Sequence, residues 1–188
     1  FKQKTAYEML RSLVGSEMCI RDRYAMTDIM SAEKRRRLMS RIRSKDTTPE
    51  RYIRDLLVAA GLTFTKHDAG LPGSPDFVFP RQKLVVFVHG DFWHGWRFPV
   101  WQHRMNQFWR EKIARNRARD KRNTRLLRQR GWKVVRIWEH QVECNALECV
   151  RRVVEHLGLR WSASRKLAVQ RRLTELPPLR RRPRLPRP

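Results

Sequence analysis

Two apolar, β-branched runs separated by a turn, a third such run behind a long charged helix, and amphipathic helices on either side point to a mixed α/β fold. The sheet is expected to be mixed and flanked by helices, in a single domain. Ser31–Ile42 reads as a basic helix, with Ser31 as its cap and Glu33 in its first turn. Thr47-Thr48-Pro49-Glu50 starts a second helix with a capping hydroxyl followed by Pro in the first turn. Its apolar face is Ile53, Leu56, Leu57 and Ala60, and Gly61 ends it. Leu62–Lys66 is a short strand. Asp76–Phe79 and Lys83–Val88 flank Pro80-Arg81-Gln82 and read as a hairpin. A helix over roughly Met105–Arg130 closes at Gly131. Trp132–Trp138 is a buried strand, and Ala146–Leu157 a last amphipathic helix.

The 188 residues carry 43 Lys and Arg against 18 Asp and Glu, a net charge of +25. No apolar stretch approaches the ~18 residues a membrane span requires. Three cysteines, Cys19, Cys144 and Cys149, are too few for a disulfide framework and suit a reducing compartment. With 40% hydrophobic residues and seven Trp, the chain can build a core. Such a basic domain calls for a polyanionic partner, nucleic acid by default; a ribosomal surface or a lipid surface are the alternatives.

The charge is unevenly placed. Residues 1–25 share no periodicity with the segment that opens at Met26, and KQKTAYEMLRSLVGSEMCIRDR resembles translated sequencing-adapter DNA. They are read as a non-native or disordered leader, with no secretory signal. Residues 26–160 form the domain. Residues 161–188 are a basic Pro/Arg-rich tail with nine Lys and Arg against Glu175, and its end, PPLRRRPRLPRP, is expected to be extended.

LPGSPDFVFPRQKLVVFVHGDFWHGW, residues 71–96, carries the chemistry. Antiparallel pairing around the turn brings Asp76, at the mouth of one strand, close to His89, at the end of the other. Asp76, the Val88 carbonyl, His89 and His94 can then share one small volume. Mg²⁺ accepts one or two protein oxygens plus a substrate phosphate. A histidine can take a proton from an attacking water near neutral pH. The set suits metal-assisted phosphodiester hydrolysis; the plainer reading is turn chemistry and edge histidines. Zinc ligation by His89, His94 and His103 is a further option, weakened by the lack of a nearby cysteine.

PGSPDFVF, VFVHGDFWHG, FWREKIARNRARD and GWKVVRIWEH, in this order, resemble the very-short-patch mismatch repair (Vsr-type) nicking endonucleases over about Asp28–Leu159. The resemblance implies a restriction-endonuclease-like fold. It also implies a Mg²⁺-dependent enzyme that nicks one DNA strand 5′ to the thymine of a T·G mismatch. Asp76 matches the metal-binding aspartate and the Val88 carbonyl a second ligand. His94 matches the water-activating histidine and His89 its neighbour. Asn116 and Asp120, four apart on one helix face, match an amide and an acidic position; a solvated carboxylate is the other reading of Asp120. Glu50 matches a further site acid, although the helix dipole alone favours an acid there.

Relatives with a structural zinc have Cys where this chain has Asp91 and His140, so zinc is expected to be absent, with an Asp91–His140 ion pair in its place. Phe92, Trp93 and Trp109 match intercalating aromatics, and Met39 a wedge from the N-terminal helix; the residues alone favour core for any of them, Trp109 especially, and the resemblance reverses that for the adjacent Phe92-Trp93 pair. Residues 110–130 hold ten Lys and Arg against two acids, with Arg115, Arg119 and Arg122 at helical spacing suited to phosphates. Lys34–Arg43 form a second basic block. The implied partners are T·G-mismatched double-stranded DNA and mismatch-repair proteins, with a monomeric enzyme at the cytoplasmic nucleoid and no membrane. The rival readings are another nuclease of this fold and a catalytically inactive DNA binder.

Overall fold

The computed structural model describes residue 33 and residues 45–179. Glu33 is helical; the rest of the expected Ser31–Ile42 helix, including Met39 and the basic block, lies outside the described residues, as do residues 1–25 and 180–188. The chain forms two compact units, one holding residues 97–112 and the other 45–96 with 113–179.

The larger unit holds a four-stranded mixed sheet flanked by helices, an architecture consistent with the restriction-endonuclease-like fold. Helix α1 (Thr48–Ala59) precedes β1 (Thr65–Lys66), β2 (Phe77–Phe79) and β3 (Leu84–His89). β1, β2 and β3 pair antiparallel in order, and β4 (Lys133–Trp138) pairs parallel to β3. A parallel pair needs a crossover, and the chain between β3 and β4 includes helix α3 (Gln107–Gln129). Helices α4 (Glu139–His156) and α5 (Ala163–Glu175) follow. In the smaller unit lies the short helix α2 (Phe98–Trp101), where Phe98 packs edge-on against Trp101.

Strand alternation divides the core between two faces. Phe77, Phe79, Leu84, Val86, Val88, Val135 and Ile137 pack with Ile53, Leu56 and Leu57 of α1 and Val150, Val153 and Val154 of α4. On the opposite face Val78 and Val85 meet Leu127 of α3. The expected hairpin forms, its turn a single 3₁₀ turn over Pro80–Gln82 closed by Lys83 at φ 47°.

The strand expected over Leu62–Lys66 is confined to Thr65–Lys66, α2 is an element the sequence did not suggest, and two longer helices also differ from expectation. The helix expected from Ala146 is the second part of α4: Asn145 breaks helical geometry, and its side chain accepts from the Glu148 N–H at 3.0 Å, a cap inside the helix. Before it, Glu139–Cys144 have too few apolar positions to read as helical. The second difference is α5, which lies within the segment that reads as tail from its charge. Ser162 Oγ caps it at Arg165 N (3.3 Å), Val169 is fully buried, and Leu173 and Leu176 pack on the core. Arg165 Nε donates to the Ala60 carbonyl at 2.8 Å, and Arg172 pairs with Asp55 at 3.1 Å, so two of the charges counted as tail fasten α1.

Candidate active site

The sheet register collects one end of every strand. β1 ends and β2 begins at one edge, while β3 and β4 both finish there, with His89 opposite Trp138. The loop ends His67 and Asp76 face each other across the β1–β2 connection, where His67 N–H bonds the Asp76 carbonyl at 3.4 Å. Two groups of side chains form at this end.

The first is carboxylate-rich. Glu50, His67 and Asp76 offer ligand atoms that all lie within 4.8 Å of one another. Asp76 Oδ2 accepts from the Val88 N–H at 2.7 Å, so the observed contact with Val88 is through its amide. Glu50, 6% exposed, accepts from Thr47 Oγ1 through Oε1 (2.7 Å), while its buried Oε2 has no hydrogen-bond partner. Thr47 thus holds the Glu50 side chain rather than capping the helix backbone. Burial first, and then the Glu50 charge, push the Asp76 carboxyl up to about 7. Two desolvated carboxylates with an unfilled lone pair fit a hard divalent cation, which supplies the missing positive charge. Glu50 thus lies beside Asp76 while also standing in the first turn of α1, where the helix dipole favours an acid.

The second group is built on histidine. His94 Nδ1 lies 2.6 Å from Asp120 Oδ2, and the His89 and His94 rings stack at 3.7 Å and 14°. Burial alone would raise the Asp120 carboxyl, but the His94 bond and charge, with nearby Arg119, hold it below the usual carboxylate range. An ionised Asp120 accepts, so Nδ1 is the protonated nitrogen, and in the neutral ring Nε2 has the lone pair. Burial, then the charge of His94, lowers His89 to about 2 and keeps it neutral. Phe87 and Trp138 flank that ring. Among the described residues the group containing His89 and His94 is completed by Asp120 and does not include His103.

Residues 90–96 form the loop that carries His94. The His94, Gly95 and Trp96 amides turn back onto the Gly90, Phe92 and Asp91 carbonyls. Asn116 Nδ2 donates to the Trp93 carbonyl at 3.0 Å, so this amide fastens the loop. Buried Asp91 bonds His140 Nδ1 through Oδ1 at 2.8 Å, and Trp96 packs on both His140 and Trp138. The expected Asp91–His140 link is therefore present and joins the loop to the start of α4. His140→Ala is expected to lower turnover about tenfold without weakening substrate binding, because it frees the loop rather than a substrate contact. An unchanged rate would remove the link from catalysis, and stoichiometric zinc in purified protein would overturn its role as a metal substitute.

Phe92 and Trp93 are half-buried and pack edge-on at 5.0 Å. Trp109 is 7% exposed, which favours its core reading, whereas the adjacent Phe108 ring is exposed. Arg115, Arg119 and Arg122 are exposed on α3, and Arg119 also reaches Asp120 at 3.4 Å. Next to them Lys121, Thr124, Arg125, Arg128 and Arg136 line an open groove of about 610 Å³. Arg136 was not singled out from the sequence: it donates to Thr124 Oγ1 at 2.9 Å, and Thr124 Oγ1 in turn bonds the Asp120 carbonyl at 2.8 Å. His67 was also missed. The antiparallel β1–β2 pairing sets it opposite Asp76, and a two-residue strand gives no sequence signal of that pairing.

Residues 27–99 match the family model described as DNA mismatch endonuclease Vsr. The chain is 45% identical over 126 residues to the type II nicking enzyme V.XorIIP of Xanthomonas oryzae pv. oryzae, covering 65% of this chain and 93% of that one. The chain belongs to the Vsr family. It is 40% identical over 117 residues to the DNA mismatch endonuclease Vsr of Escherichia coli, covering 61% of this chain and 74% of that one. Over 143 residues it is 36% identical to the type II nicking enzyme V.NmeAIP of Neisseria meningitidis, 70% of this chain and 97% of that one. As a member of the Vsr family the protein is a DNA mismatch endonuclease, a hydrolase of phosphodiester bonds. No described helix is long and apolar enough to cross a membrane.

Proposed function

We propose that this Vsr-family enzyme is Mg²⁺-dependent and nicks one strand of duplex DNA 5′ to the thymine of a T·G mismatch. The observation that carries the reading is two unlike groups at one end of the sheet, the desolvated carboxylates Glu50 and Asp76 and the His94–Asp120 pair, linked where Asp76 bonds the Val88 amide beside His89. Asp76 and Glu50, with the Val88 carbonyl, would hold the ion. When bound, the ion lowers the pKa of a water and offsets charge on the phosphate.

The chain's own residues do the rest. His94 Nε2 takes the proton of the attacking water, and Asp120 keeps that nitrogen in its accepting tautomer. Neutral His89 covers one face of the imidazole and contributes no competing positive charge. Asn116 holds the loop through the Trp93 carbonyl. Arg115, Arg119, Arg122 and the groove around Arg125 and Arg128 suit the backbone of the bound duplex. The substrate places the enzyme at the cytoplasmic nucleoid, alone or with mismatch-repair proteins. Nicking a single strand needs one active site, in keeping with a monomer.

A mismatch is already weakly stacked, so an aromatic wedge entering there costs less than in paired DNA. Replacing both Phe92 and Trp93 with Ala is expected to reduce preference for T·G over T·A duplex about tenfold, with a smaller loss of total affinity. Equal losses on both duplexes would argue against a wedge. The function itself is tested by incubating strand-labelled T·G and fully paired duplexes with enzyme and Mg²⁺. One-strand cleavage confined to the mismatch is the expected result. Cleavage of both duplexes would indicate a different nuclease specificity, and binding without cleavage an inactive DNA binder.

A further inference from the structure

We infer that His67 is a nitrogen donor of the cation site, completing with Glu50 and Asp76 a two-carboxylate, one-imidazole set that favours first-row transition ions over Mg²⁺. The inference rests on the proposed metal-dependent reading of the same site.

His67 Nδ1 lies 3.8 Å from Asp76 Oδ1. Two ligand atoms each about 2.1 Å from one ion are at most about 4.2 Å apart, so a single ion can take both. The Glu50 carboxylate completes the group within 4.8 Å, and its Oε2 is buried without a partner. The other face of the ring is also arranged: His67 Nε2 lies 3.7 Å from Asp46 Oδ1. Asp46 is anchored by Lys66 at 3.1 Å. A ligating histidine commonly turns its second nitrogen to a carboxylate, which fixes the tautomer and makes the ligating nitrogen more basic. Asp46, His67 and Asp76 follow that order.

The donor type has a consequence for the ion. Mg²⁺ is held by oxygen and gains little from an imidazole. Mn²⁺ and later first-row ions accept nitrogen readily, with affinity rising along that series. His67 therefore changes which divalent ions compete for the site, a property that Asp76 and a backbone carbonyl alone would not give.

The test titrates the metal-free full-length protein with MnCl₂, followed by electron paramagnetic resonance, with pulsed measurements to detect ¹⁴N coupling to the ion. His67 sits at φ 50°, a conformation Asn tolerates, so His67→Asn removes the imidazole while suiting the backbone. The wild type is expected to show ¹⁴N coupling. His67→Asn should lose that coupling and bind Mn²⁺ at least about tenfold more weakly, with Mg²⁺ affinity by calorimetry changed less than about threefold. Asp46→Asn should retain the coupling and weaken Mn²⁺ about tenfold, the usual effect of losing such a supporting carboxylate.

Coupling that persists in His67→Asn would overturn the assignment. So would coupling that vanishes only in His94→Gln, which would move the ion to the histidine group. Equal loss of Mn²⁺ and Mg²⁺ would also overturn it, reducing His67 to a structural support. The two readings fail separately: His67-dependent Mn²⁺ binding without T·G nicking removes the proposed specificity, and nicking without ¹⁴N coupling removes His67 as a ligand.

Discussion

Asp76→Asn should abolish nicking, by about 10³-fold or more, while leaving duplex affinity intact and making the metal-free protein more stable at pH 8. The loss of rate follows from removing the central carboxylate of the cation site. Retained binding follows because the exposed basic surface lies elsewhere on α3. Asn suits the position since its amide oxygen still accepts from the Val88 N–H, the bond that fixes Asp76 at 2.7 Å. An unchanged turnover would refute the assignment of Asp76 to the metal.

The gain in stability comes from the raised carboxyl. Folding moves Asp76 from the ordinary 3.8 to about 7. Below the lower value it is protonated in both states and costs nothing. Between the two, the unfolded chain releases the proton while the folded protein keeps it, so stability falls as pH rises and levels off above about 7. The full loss is on the order of 4 kcal/mol, at about 1.4 kcal/mol per decade of equilibrium constant. Asn carries no such penalty. Chemical denaturation in EDTA at pH 5 and pH 8 should therefore show the variant gaining on the wild type as pH rises. Mg²⁺ added at pH 8 should close the gap by stabilising only the wild type. Parallel pH curves for the two proteins would show that Asp76 is not a strained carboxylate. His89 slopes the other way, since a ring lowered to about 2 destabilises the fold as pH drops below 6.5; comparing the two proteins cancels it.

The same pair of carboxylates shows what a linear reading can reach. The β2–β3 hairpin was legible because Pro80-Arg81-Gln82 separates two runs too apolar and too short for helices. That register alone brought Asp76 to Val88 and the end of β3. His67 was hidden because β1 has only two residues and no periodicity, so nothing local says that it pairs with β2. Glu50 was ambiguous because an acid in a first turn satisfies the helix dipole whether or not it meets a metal. Only the tertiary structure shows Asp76 and His67 beside it. The helix α5 was obscured by its own charges: Arg165 and Arg172 read as tail until their partners, the Ala60 carbonyl and Asp55, are seen more than 100 positions away. Trp109 shows the limit of spacing in the other direction, since an aromatic at the start of a helix has the same signature as wedge or core, and burial favours core.

His94→Ala is expected to slow single-turnover nicking about 10²–10⁴-fold without changing DNA affinity, the range for loss of a general base. Asp120→Asn should cost nearly as much although the imidazole stays in place. The ionised Asp120 accepts the His94 Nδ1–H at 2.6 Å and thereby leaves Nε2 with its lone pair. An amide at 120 can present N–H instead, which favours the opposite tautomer, with the proton on Nε2 and no base facing the water. The Asn116 bond to the Trp93 carbonyl would still hold the loop, so the defect is one of proton position and not of folding. If the two residues act as one unit, the double variant should be no slower than His94→Ala alone, because an absent imidazole has no tautomer to control. Multiplying defects would mean that Asp120 acts independently of His94, by phosphate repulsion or by metal contact, and would separate the histidine group from the proton transfer assigned to it.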